Sequence, residues 1–64
     1  MMTETAGYCV YNMNTNLYWS QYPAGWVDNL GHATISDKRH ALQTIKDRGG
    51  VLVAMDRNGN IRRV

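Results

Sequence analysis

A single cysteine, Cys9, stands in a chain of only 64 residues, and these two facts together narrow what the chain can become. One cysteine forms no internal disulfide, so the staple of small secreted domains is absent. Zinc does not replace it. The sequence has no C-x-x-C and no H-x-x-x-H pair, and its remaining ligand types, His32, His40 and scattered Asp, lack the usual spacing. No metal or other cofactor is expected. Stability must come from a packed aromatic core, from self-association or from a partner; monomer and homodimer both remain open. A chain of this size buries about 60% of its unfolded surface. That is enough for one helix and a few strands, and too little for a cofactor-binding half beside a substrate half. Cys9 itself reads as a reduced thiol within a strand.

Residues 1–6 are polar and read as a flexible tail, with one domain over 7–64. The first residues lack the basic and apolar segments of a signal peptide, and no apolar run approaches a membrane span. A cytoplasmic, non-membrane protein is expected.

Tyr8-Cys9-Val10-Tyr11-Asn12 and Leu17-Tyr18-Trp19-Ser20 are rich in strand formers, and Met13-Asn14-Thr15-Asn16 between them favours a turn. Alternation places Val10, Leu17 and Trp19 on a core face and leaves Tyr11 and Tyr18 for a second, more exposed one. A loop follows over 21–25, and His32-Ala33-Thr34-Ile35 predicts a short third strand. Ser36 is the expected N-cap of a helix from Asp37 to Arg48, stopped by Gly49-Gly50. Its buried stripe is Ala41, Leu42 and Ile45, flanked by the Lys38 stem. Val51-Leu52-Val53-Ala54-Met55 is the clearest strand, and Asn58-Gly59 predicts a hairpin back through Ile61-Arg62-Arg63-Val64. The order β-β-(β)-α-β-β implies a small two-layer α+β fold, an antiparallel sheet of four to five strands on one α-helix.

Catalytic constellations are scarce. Asp37 has a capping role, Asp47 ends the helix, Asp56 enters a turn, and Ser20 and Ser36 have no neighbouring base in a triad pattern. Only Asp28 and His32 are left as a reserve acid–base pair. The expectation is a non-enzymatic protein.

The net charge of +2 conceals an asymmetry. Residues 1–35 carry Glu4 and Asp28 and no cation, whereas Lys38, Arg39, Lys46, Arg48, Arg57, Arg62 and Arg63 all lie beyond them. Arg39, Gln43 and Lys46 share a helix flank, and the last hairpin adds Arg57, Arg62 and Arg63. Such a patch, if continuous, suits phosphate backbones, where affinity comes from counterion release. All six aromatic residues lie between Tyr8 and Trp26, in the half without cations. The two tryptophans read as core, and Tyr11, Tyr18 and Tyr22 as surface anchors, since Tyr and Arg dominate interface hot spots. Stacking platforms for bases interleave rings with cations, and here the two are segregated along the chain.

The run Tyr8-x-Val10-Tyr11-Asn12, Leu17-Tyr18-Trp19-Ser20, Gly25-Trp26-Val27 and Ala33-Thr34-Ile35-Ser36 resembles a pattern in small phage- and prophage-encoded proteins. The resemblance covers residues 8–36 and its motifs are structural. It implies an accessory protein that binds and inhibits or modulates a host protein or nucleoprotein complex, an anti-CRISPR or other anti-defence inhibitor being the sharpest version. The expected partner-binding residues are Tyr11, Tyr18, Tyr22, Arg39, Lys46, Arg57, Arg62 and Arg63. The alternative is a small nucleic-acid-binding domain using the basic helix flank and the last hairpin.

Overall fold

A computed structural model describes residues 5–64. The protein is α+β: strands β1 (Thr5–Asn12), β2 (Leu17–Gln21), β3 (Ala24–Val27), β4 (Val51–Asp56) and β5 (Ile61–Arg63) form one antiparallel sheet, and helix α1 (Lys38–Arg48) packs on it. The strand order is β3-β2-β1-β4-β5. Of the tail expected over 1–6, residues 1–4 lie outside the described residues. Thr5 and Ala6 correct the rest of that expectation, because they extend β1, where Thr5 pairs with Asp56.

The first hairpin closes on Asn12, whose side-chain oxygen accepts from the amides of Asn14 (2.9 Å) and Thr15 (3.3 Å). Asn16 then takes a left-handed φ of 59°, a conformation Asn tolerates. The last hairpin closes on Asp56, whose carboxylate accepts from the amides of Asn58 (2.9 Å) and Asn60 (3.0 Å).

The third strand is not His32–Ile35 but Ala24–Val27. Trp26 lies opposite Trp19 across the β2–β3 ladder, with ring centroids 5.4 Å apart in an edge-on arrangement. An aromatic cross-strand pair of this kind stabilises a ladder, and the two-residue connection at Tyr22–Pro23, whose peptide bond is cis, leaves no loop over 24–25. The expected strand is pre-empted at its start by a 3₁₀ turn at Leu30–His32, which Asn29 caps by accepting from the Gly31 amide at 2.8 Å. Its remainder fills the gap where β1 and β2 diverge. Thr34 N–H donates to the Trp19 carbonyl (3.0 Å), and Ser36 forms a single bridge with Tyr8 through two 2.8 Å bonds.

That bridge also moves the helix cap. Asp37, not Ser36, is the N-cap, and its carboxylate accepts from the His40 amide at 2.8 Å. The same oxygen lies 2.9 Å from His40 Nδ1. The backbone bond from His40, followed by its ring, holds the Asp37 carboxyl below its ordinary value near 3.8. A carboxyl depressed in the folded state stabilises above the unfolded value and loses that contribution as pH falls through the folded one. The chain should therefore lose stability below about pH 4 through Asp37. In Asp37→Asn, which keeps an acceptor for the cap, this part of the acid loss should disappear. Thermal melts of both proteins between neutral and acid pH check it, and parallel curves would refute it.

The core joins Val10, Trp19 and Ala41, all buried, with Tyr8, Trp26, Ile45 and Leu52 against them. Leu42 departs from the expected stripe and is 47% exposed. Ala41 and Ile45 face the sheet four residues apart, and Leu42 lies about 100° round from Ala41. The helix seam continues instead through Arg48, whose guanidinium sits 5.2 Å over the Trp19 ring.

Cys9 is buried at 1% exposure, and burial pushes its thiol above the ordinary value of 9.0. A protonated, enclosed thiol is a poor nucleophile. Labelling by a thiol reagent at neutral pH should be slow in the native protein and fast in denaturant. Rapid stoichiometric labelling without denaturant would contradict this placement.

Candidate interaction surface

Residues opposite one another in an antiparallel ladder share a face, and neighbours along a strand alternate. Val10 pairs with Leu52 on the side covered by α1. Tyr11 therefore points to the other side, with its partners Tyr18 on β2 and Val51 on β4. Val53 and its partner Arg63, and Met55 and its partner Ile61, belong to that side too. Tyr11, Tyr18, Val53, Ile61, Arg62 and Arg63 line a depression there of about 260 Å³.

Val53 is buried within it, and Ile61 is 37% exposed. The two tyrosine rings touch at a centroid distance of 5.1 Å and a tilt of 48°, and Tyr11 Oη donates to Asn16 Oδ1 at 2.6 Å. The hydroxyl bond and the ring contact hold Tyr11 in one orientation. Arg62 alternates to the helix side, where its guanidinium donates to Thr5 Oγ1 at 3.3 Å. Arg63 is the cation whose strand position aims it at the tyrosine side.

Four of the eight residues singled out from the sequence border the depression, Tyr11, Tyr18, Arg62 and Arg63, but only Tyr11, Tyr18 and Arg63 turn their side chains to this face. The others lie elsewhere. Tyr22 is 88% exposed and, with Trp19, Thr34, His40, Gln43 and Thr44, borders a different cleft of about 430 Å³ beside the helix. Arg39 stands near Asp37, His40 and Gln43 at the start of α1. Lys46 is exposed further along α1, and Arg57 is exposed in the β4–β5 turn. Arg39 and Lys46 are on α1 and Arg62 turns to the helix side, whereas Arg63 is on the opposite face of the sheet, so the helix flank and Arg63 do not share one face. Val53 and Ile61 escaped the sequence reading. Their apolar character and alternation were visible, but their meeting with Tyr11 depends on the β1–β4 and β4–β5 registers.

Asp28 follows β3, His32 closes the 3₁₀ turn, and neither lines the depression or the helix cleft. Asp37 and His40 form a carboxylate–imidazole pair, but both are largely exposed, and the pair is accounted for by the helix cap. Among the described residues no group of three His, Cys, Asp or Glu side chains gathers to hold a metal. Among the described residues no helix is long and apolar enough to cross a membrane.

No protein-family model matches this sequence, and neither the curated proteins nor the solved structures include a match to it.

Proposed function

We propose that this chain is a non-enzymatic binding domain that docks, through the tyrosine-bearing face of its sheet, on a larger protein or nucleoprotein complex and modulates it by occupying a surface. The observation that carries this reading is the depression shared by Tyr11, Tyr18, Val53, Ile61 and Arg63. Aromatic rings with an apolar floor and an arginine at the rim have the composition of an interface hot spot. The resemblance over residues 8–36 to phage accessory proteins supports a host target in the bacterial cytoplasm, with an anti-CRISPR or other anti-defence inhibitor as the sharpest form.

The test is capture of partners by the tagged protein from a host lysate, with and without nuclease, compared among three variants. Tyr18→Ala and Arg63→Glu should each lower recovery of a stoichiometric partner about tenfold, the loss of a hot-spot residue. Arg39→Glu, with the same charge change on the helix side, should leave recovery unchanged. A partner retained equally by all three variants would refute the assignment of this face. A partner lost on nuclease treatment alone would favour direct nucleic-acid binding.

A further inference from the structure

The depression opens onto a free strand edge, and the two share residues. The amide of Asp56 donates to the Asn60 carbonyl and that of Val64 to the Leu52 carbonyl. Hydrogen-bonded pairs alternate along an antiparallel ladder. Arg62 and Val64 therefore turn their backbone groups toward β4. Ile61 and Arg63 turn their N–H and C=O groups outward, past the last strand of the sheet. Among the described residues nothing pairs with them. The side chains of these same two residues lie on the face that carries Tyr11, Tyr18 and Val53.

We propose that β5 takes a sixth strand: an extended, acidic segment of the partner protein adds to the edge at Ile61 and Arg63. This rests on the proposed function, whose docking face it extends to the adjoining edge. In such an addition main-chain bonds supply affinity, and alternate side chains set specificity. Partner residues opposite Ile61 and Arg63 project onto the tyrosine side. One meets the apolar rim of the depression, and the other, two residues away, meets the Arg63 guanidinium.

Charge selects the occupant. No carboxylate lines the depression. Asp37 and Asp47 are on or beside the helix, Asp28 follows β3, and Asp56 is engaged by the amides of its own turn. Among the described residues Arg63 forms no ion pair. A second copy of this chain is a poor occupant, because an antiparallel β5–β5 pairing that aligns Ile61 with Arg63 sets Arg62 directly opposite the other copy's Arg62, and like charges directly opposite destabilise a ladder. An acidic strand reverses that sign.

The test uses the full chain, isotope-labelled, and two synthetic peptides, Gly-Glu-Thr-Val-Thr-Glu-Gly and its counterpart with both Glu replaced by Lys. The sequence Glu-Thr-Val-Thr-Glu presents a carboxylate two residues from an apolar side chain in either strand direction. At millimolar concentration the acidic peptide should shift the amide resonances of Ile61 and Arg63 and slow their hydrogen exchange. The Lys peptide should do neither. Arg63→Glu should reverse the preference. Equal responses to both peptides, or none at β5, would overturn the proposal and leave the arginines as guards of the edge against unwanted pairing. A response to oligothymidylate at Tyr11 and Tyr18 with none at β5 would overturn it in favour of nucleic acid. If Tyr18→Ala abolishes partner capture while no peptide adds to β5, the docking face stands and the strand addition falls.

Discussion

Gly50→Ala should destabilise the domain by about 3 kcal/mol, combining backbone strain with overpacking. Gly50 has a φ of 101°, and a Cβ there would lie 2.7 Å from Val10 Cγ1 and 2.9 Å from the Tyr11 carbonyl oxygen. The first neighbour is a core side chain and the second is backbone of the central strand, so neither withdraws easily. The Trp26 ring closes the third side at 3.5 Å. Gly49 provides the control. Its φ is 86°, and nothing lies within 4 Å of a Cβ built on it. Gly49→Ala carries the backbone cost alone, so Gly50→Ala should be the more destabilised variant by about 1–3 kcal/mol. Urea denaturation of the two variants checks the difference. Equal midpoints would mean that the close approach of the 49–50 turn to β1 does not constrain the fold.

Trp19→Ala should be still more damaging. Truncation of a buried tryptophan costs about 3–5 kcal/mol, and a domain of this length has in total about 3–10 kcal/mol. Trp19 is 7% exposed and touches each part of the core: Val10 on β1, Ala41 on α1, the Trp26 edge and the Arg48 guanidinium. Its removal should leave the chain largely unfolded at 37 °C, as read by far-ultraviolet circular dichroism. Tyr22→Ala, at a residue 88% exposed, should change stability by less than about 0.5 kcal/mol. A cooperative transition for Trp19→Ala close to that of the parent would show that the core does not depend on this ring.

The parts of this fold that sequence reasoning reached are those with local causes. The first hairpin, the Val51–Met55 strand, the Asn58-Gly59 turn and the Gly49 helix stop each follow from neighbours in the chain. The errors have non-local causes. Ser36 and Asp37 are both good N-cap types, and Asp37 caps because the Ser36 backbone is bonded to Tyr8. Ala33–Ile35 has strand propensity, but the chain there only closes the gap between two strands already paired elsewhere. Leu42 looked like core because it is apolar, and lies off the seam because the sheet meets the helix along Ala41 and Ile45. The surface divides in the same way. Alternation in the hairpin was enough to place Tyr11 and Tyr18 together. Arg63 joins them only through β1–β4 and β4–β5 pairing, so the segregation of rings from cations along the chain does not persist in space.

The ladder between β1 and β4 carries a consequence for synthesis. Cys9 pairs with Val53 and Tyr8 with Ala54, so the centre of the sheet is a contact between the first and last quarters of the chain. Pairing of this kind forms late, because a long loop must close before any bond is gained. On a ribosome the first hairpin emerges with one flank of β1 unsatisfied. It stays so until β4 has cleared the exit tunnel as well. Closure of the sheet is thereby tied to the synthesis of β4, and a nascent chain stalled before Val51 should display an exposed β1 edge, open to chaperones and to aggregation.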